Sequence, residues 1–383
     1  MRGKRFGIFC GLLMLLCSLA PALDFGLVLD QGLEYSGSGD DTALYYTGIL
    51  IPRVSGLLGE QGGFYVSAGL SYESDPLAFL PELLRADLYW RYGWAELRLG
   101  RMFYSDPLGF IAVGLFDGGR FSFDSPVGSF SAGAWYTGLL SKKRALVEMT
   151  PKELEHNNKD IDYNDFANTY FAPSRVLAAL GWEHQGLARR FPVALSILGQ
   201  FDLSAEELNS QYLAGKFTVP LWSFAFDLGG CLELIQHSGN TDTAHAAELG
   251  FAWLAPTQQL SLTGRYSSAQ SDNSAAFLPL NTVSQGNIPA YKLSGISLIS
   301  LDYSARLHRT FFLGLESSYF MLSDSSLDER MLGGELFGTL DWSPLSDISI
   351  SLGAGAFLPS LGDVAPNADA QWRIELNVVL SLF

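Results

Sequence analysis

Charged side chains recur at every second position through one stretch of this chain. Arg85, Asp87 and Arg91, then Glu96 and Arg98, alternate with Leu84, Ala86, Leu88, Trp90, Ala95, Leu97 and Leu99, and Arg120 follows in the next segment. Guanidinium groups pair with anions and stack on flat rings, so a row of them can set a transverse field or track an anionic or sugar solute. Asp227, Glu233, Arg265, Asp302, Arg306 and Glu335 take the polar parity of later alternating runs. Acids outnumber bases at such positions, which would bias a wide aqueous passage weakly toward cations.

Reactive chemistry has less support. His156, His184, His237, His245 and His308 lie in loops, turns or strand ends, with no serine or acid motif beside them. A nucleophile needs a base and an orienting group within reach, so no catalytic residue and no enzyme is expected. Asp160–Asp165 offers oxygen ligands at alternate positions. An EF-hand loop requires Gly at its sixth position and Glu at its twelfth; Asp165 and Phe171 stand there. A solvated acidic loop is the better reading, and neither metal nor cofactor is expected.

The elements that carry these charges read as strands. Successive side chains of a strand point to opposite faces, so period-two alternation gives one apolar and one polar face. In Leu83–Tyr104 two such runs meet at Tyr92-Gly93. Taking those two residues as the loop pairs Arg91 with Trp94, Tyr89 with Glu96, and Asp87 with Arg98 as a cross-strand ion pair. Trp90, Tyr92 and Trp94 gather at the turn, as in the aromatic girdle of a membrane interface.

Residues 1–22 combine Arg2, Lys4 and Arg5, an apolar run from Phe6 to Leu19, and Ala20-Pro21-Ala22. That is the pattern of a cleaved secretory signal. Its removal makes a chain of net charge −16 more acidic still, which argues against nucleic acid as a partner. Cys10 and Cys17 would leave with it, so Cys231 could form no internal disulfide.

From Leu23 onward about eighteen alternating segments follow (sixteen to eighteen, allowing for a misread one), ending on Gln371–Phe383. Every second connection is generally short, as at Ser125–Gly128, Ala255–Gln258 and Ser343–Ser346. The others are generally long: Ser105–Asp117, Ser141–Ser174, Ser271–Ser297, Ser323–Arg330 and Pro359–Ala370. Short turns on one side and long loops on the other mark an outer-membrane barrel. Residues 23–383 are therefore expected to form a single all-β domain, a transmembrane antiparallel up-and-down barrel in the cell outer membrane. Phe383 reads as a terminal signal for the barrel assembly machinery, although the apolar face ends at Leu382.

LRLGRMFYSDP (Leu97–Pro107) followed by FDGGRFSFDSP (Phe116–Pro126) resembles the G-R and F-D-G-x-R segments of alginate-export-type and related substrate-specific porins. The resemblance implies an eighteen-stranded outer-membrane barrel with Arg98, Arg101 and Arg120 lining its pore. It also implies that Ser105–Asp117 folds into the channel. Strict alternation, however, puts Arg101 on the lipid face. An outer lid or subunit contact remains the alternative for that loop.

The expected function is a porin-type channel for passive diffusion of small hydrophilic solutes, surrounded by outer-membrane lipid. The alternative is a surface adhesin or ligand-binding barrel acting through Ser141–Ser174 and Ser271–Ser297. A homo-oligomer stays open, since alternation does not reveal a flat outward patch.

Overall fold

The computed structural model describes residues 23–74, 77–187, 191–204, 207–271 and 274–382. Residues 1–22, the expected signal segment, and Phe383 lie outside the described residues. Twenty strands follow one another, from β1 (Leu23–Ser38) to β20 (Gln371–Leu382), with a two-stranded ribbon, β14 (Ser284–Gln285) and β15 (Tyr291–Lys292), inside one loop. The other strands form a single 18-stranded antiparallel sheet. It closes where β1 pairs with both β2 (Asp41–Leu58) and β20, in registers running from Leu27↔Leu382 to Ser38↔Gln371. Closure leaves no sheet edge to face hydrocarbon at that join.

Alternation meets lipid on the outside. Leu50, Leu70, Leu88, Leu99, Leu213, Leu232, Leu249 and Leu336 are all exposed on the outer wall. In a bilayer this is the stable side for them. Tyr92, Trp94 and Trp222 cluster at the short turns, the last 94% exposed. Placing a cation in the apolar belt costs about 2–4 kcal/mol near the midplane. Leu88→Arg should therefore impair assembly, read as loss of the heat-modifiable folded band on a denaturing gel. An undiminished folded band would mean that the outward face is misassigned.

The opening hairpin differs from its expected register. β4 (Leu77–Tyr92) and β5 (Ala95–Ser105) pair Tyr92 with Ala95, Arg91 with Glu96, Tyr89 with Arg98 and Asp87 with Gly100. The loop is Gly93-Trp94, not Tyr92-Gly93. Gly93 has φ +54°, and a two-residue hairpin that needs positive φ at its first position favours glycine there. A slip of two residues leaves every side chain on its original face. The expected faces hold while the Asp87–Arg98 pairing becomes diagonal.

Leu84 is a second difference. A register shift between Ser67 and Ala68 of β3 (Gly62–Ser74) pairs Ser67 with Arg85 and Ala68 with Leu83, leaving Leu84 as the extra residue. The inward parity changes there, so Ala78, Leu80, Glu82 and Leu84 are buried on the same side as Asp87. An extra residue in one strand of a pair has this effect, and it sends Leu84 inward.

Three of the connections at the long-loop end turn into the lumen. They are 106–112, 137–174 and 268–295, and they supply Leu108, Phe110, Ile111, Val147, Met149, Phe277, Leu280 and Leu293 to one buried apolar cluster. The first is shorter than the expected Ser105–Asp117, because β6 (Val113–Ser125) begins early.

Candidate solute pathway

Loop 106–112 is built around Asp106. Its carboxylate accepts the N–H groups of Leu108 and Gly109 at 2.8 and 3.0 Å on one oxygen, and of Ile111 and Ala112 at 2.9 and 3.0 Å on the other. Burial raises its pKa above the ordinary carboxylate range, against the downward pull of those four donors. The turn they close drives Leu108 across the lumen to β11 (Phe224–His237). There a Cβ at Gly229 would lie 2.5 Å from Leu108 Cδ2. Only a residue without a side chain admits so close an approach.

Loop 268–295 meets this turn from the far side. Phe110 and Phe277 pack edge to face with centroids 6.2 Å apart, and Leu280 N–H donates to the Ile111 carbonyl at 2.8 Å. Asn281 Oδ1 accepts from Val113 N–H at 3.0 Å. The third loop joins through Thr282, whose N–H donates to the Leu146 carbonyl at 2.9 Å and whose hydroxyl donates to Glu148 at 2.8 Å. Lys292 donates to the Glu148 carbonyl, and burial lowers its pKa.

Several expected site residues serve these loops. Glu233 accepts Leu278 N–H at 2.9 Å. Glu335 accepts the N–H groups of Asn287 and Ile288, each at 2.9 Å. Arg265 donates to Glu248 at 2.8 Å and to Gln285 at 3.1 Å, with its guanidinium 6.0 Å from the Phe110 ring. All three occupy the inward face, yet their charges hold loop backbone or one another. Loops packed into the lumen need fixed acceptors, since an unpaired buried N–H costs about 1–3 kcal/mol.

Below the loops the wall charges form a separate group. Arg85 Nε lies 2.5 Å from Asp87, which is buried, and Arg98 reaches the same carboxylate at 3.6 Å. Glu96 joins Arg98 at 3.1 Å and Arg91 at 2.6 Å. Arg120 stands directly opposite Arg98 on β6, and its Nε is buried without a hydrogen-bond partner among the described residues. A cavity of about 490 Å³ lies here, lined in part by Arg91, Glu96, Arg98, Arg120, Ser122 and Asp124. Two guanidinium residues at facing positions, one with an unpartnered Nε, give this part of the wall a place that can receive an anion.

The remaining residues are dispersed. Asp227 accepts the Thr218 hydroxyl at 2.5 Å. Asp302 on β16 (Ile296–Arg306) stands opposite Glu316 on β17 (Phe311–Leu322). Arg306 lies at the short-turn end, 5.6 Å from the Phe312 ring. β16 is halfway round the barrel from β5, so the acidic pair faces the arginine wall across the lumen.

Arg101 does not line the lumen, contrary to what the family resemblance implies. It keeps the outward parity of Leu97, Leu99 and Phe103 but is 7% exposed. It forms a double hydrogen bond with Asp117, at 2.9 and 2.7 Å, and donates to the carbonyls of Leu83 and Leu139. Asp106, Asn281 and Asn287 were not singled out by alternation, because they lie in loops. The Asp106-Pro107-Leu108-Gly109 turn signature was the one available signal.

Among solved structures, the chain is similar to Pseudomonas aeruginosa OccK2 (OpdF), with a TM-score of 0.69 and 13% identity over 95% of this chain and 98% of that one. The same protein in complex with glucuronate gives a TM-score of 0.66 at 12% identity, covering 95% and 97%. A BenF-like porin from Pseudomonas fluorescens gives 0.66 at 11% identity, covering 95% and 100%. No protein-family model matches the chain, and no curated protein matches it in sequence. The shared property is the fold, the closed 18-strand barrel of outer-membrane porins.

Proposed function

We propose that this protein is a porin-type channel of the outer membrane, passing small hydrophilic solutes by passive diffusion. The observation that carries the reading is a closed barrel whose interior keeps a charged, cavity-bearing wall beneath three inward loops. A channel has this shape because a narrow segment selects and a wide polar segment hydrates. The expected pore-lining residues divide accordingly. Arg85, Asp87, Arg91, Glu96, Arg98 and Arg120 form one side of the pathway and Asp302 the other, with Asp227 beside them and Arg306 at its exit. Glu233, Arg265 and Glu335 hold the constriction. Outer-membrane lipid and the barrel assembly machinery are the partners that such a chain requires.

The Arg98–Arg120 pair favours solutes with an anionic group over the cation preference that simple acid excess suggests, since Glu233, Glu248 and Glu335 are already engaged. One similar structure, that of OccK2, holds glucuronate, which fits the same class. The channel reading is preferred to the adhesin reading because loops 137–174 and 268–295 both contribute side chains to the buried cluster in the lumen.

Purified protein should give stepwise conductance in planar bilayers; folded protein that never conducts would end this reading. In a potassium chloride gradient, Arg98→Ala with Arg120→Ala should shift the reversal potential toward cation preference. An unmoved reversal potential would remove these two residues from the pathway.

A further inference from the structure

The ladder between two neighbouring strands of the barrel wall is incomplete. β4 and β5 pair only between Ala86↔Arg101 and Tyr92↔Ala95. Toward the long-loop end, β4 continues as Leu77–Arg85 paired with β3 alone, and Met102–Ser105 of β5 pair with β6 alone. Along this seam the two strands share no ladder. Pro81, which has no N–H to offer, lies on the unpaired stretch, as edge strands permit.

Side chains close the seam. The Tyr163 hydroxyl accepts from Phe79 N–H at 2.9 Å and donates to the Phe79 carbonyl at 3.2 Å. The Tyr170 hydroxyl donates to the Pro81 carbonyl at 2.8 Å, and Arg101 donates to that of Leu83. Arg144–Glu82 at 2.7 Å and Lys143–Glu73 clamp the same loop from within. A bilayer leaves unpaired strand groups unsolvated, so a barrel ordinarily closes by backbone ladder. Here the closure depends on side chains, several of them from loop 137–174.

The seam, closed to a void of about 10 Å³, is lined by Leu83, Leu115, Leu140, Ala145 and Tyr170, with Arg101, Arg144, Glu82 and Ser141 at its polar margin. Met102, Tyr104, Phe116 and Trp135 continue the apolar surface into the lumen cluster. An apolar route flanked by guanidinium groups suits a molecule with an apolar tail and one anionic head. Such a head can replace Asp117 or Glu82 as the partner of an arginine.

We propose that the β4–β5 seam is a lateral portal, opened by withdrawal of loop 137–174, through which an anionic amphiphile passes between the lumen and the outer leaflet. This goes beyond diffusion along the barrel axis and does not depend on it.

The test uses the full barrel reconstituted in lipid. Glu82→Cys and Arg144→Cys are joined by a bismaleimide linker containing a disulfide; Cys231 is buried at 4% exposure and stays out of the reaction. A dodecanoate carrying a terminal diazirine is then photolysed, and labelled peptides are mapped by mass spectrometry. With the seam free, the lumen side chains of Met102, Phe116 and Trp135 should be labelled. Linking should reduce that labelling severalfold, and reducing the linker should restore it, while labelling at the lipid-facing Leu213 and Leu232 stays constant. Lumen positions that remain unlabelled with the seam free, or are labelled equally when it is linked, would overturn the portal.

Should the cysteine pair fail to fold, Tyr163→Phe with Tyr170→Phe loosens the seam without a linker and should increase lumen labelling. No increase would equally overturn the proposal. Conductance is recorded in parallel, so failure of the axial channel is distinguishable from failure of the seam.

Discussion

Arg175→Ala should destabilise the folded barrel by about 3–5 kcal/mol, the cost of leaving a buried charge uncompensated. The Arg175 side chain is fully buried, with Nε 2.8 Å from Glu153 and Nη2 3.5 Å from Asp202. Its Nη1 donates to Gln200 at 2.5 Å and to the Leu208 carbonyl at 2.9 Å. Glu153 in turn caps the short helix Pro151–Asn158 of loop 137–174, in a capping box with Thr150. One guanidinium thus joins the helix to β8 (Arg175–Leu187) and β9 (Phe191–Asp202). Truncation strands two carboxylates away from water. Arg175→Lys should recover little, because an ammonium cannot present donors in the same planar fork. Adding Asp202→Asn to Arg175→Ala should recover part of the loss. Urea unfolding in detergent micelles measures all three, and a truncation costing under about 0.5 kcal/mol, an ordinary surface value, would remove Arg175 from the account.

Asp106→Ala should open the channel. The substitution leaves the N–H groups of Leu108, Ile111 and Ala112 without their acceptor, at about 1–3 kcal/mol for each one that stays buried, while Gly109 N–H keeps the Asp106 carbonyl at 3.2 Å. Loop 106–112 escapes that cost by leaving the lumen, and single-channel conductance should rise severalfold with the folded gel band retained. Asp106→Asn keeps one acceptor oxygen and should fall between. Because burial raises the Asp106 pKa, acidification should begin to produce the same opening above the pH at which an ordinary aspartate protonates. Conductance identical in the wild type and Asp106→Ala would show that the turn does not set the constriction.

The fold was legible in the sequence because period-two alternation is a direct imprint of a wall with lipid on one side and a polar interior on the other. Loop lengths then oriented it. The Gly93-Trp94 turn was not legible, since shifting a hairpin by two residues preserves both faces and only the backbone angle at Gly93 separates the choices. The bulge at Leu84 was hidden for a related reason: Leu83-Leu84 offers an apolar residue to either parity. Among the site residues, alternation placed Arg98 and Arg120 on one face but could not distinguish them from Glu233 and Glu335. That distinction depends on where Leu278 and Asn287 return from a loop distant in sequence. Arg175 was equally silent, because it begins its strand and looks like any polar terminus.

If the barrel conducts as proposed, the loops in the upper lumen divide it into two electrical resistances in series. The short apolar segment would then carry most of the resistance, and the charged chamber below it little. Most of any voltage across the membrane therefore falls over the few residues between Asp106 and Thr282. Charges there, such as Lys292 and Glu148, govern how current depends on the direction of the voltage. Arg98 and Arg120 sit where the potential is nearly flat, so they act by raising the local concentration of anions at the threshold of the narrow segment. Rectification and selectivity should accordingly be separable by mutation, each belonging to a different storey of the same barrel.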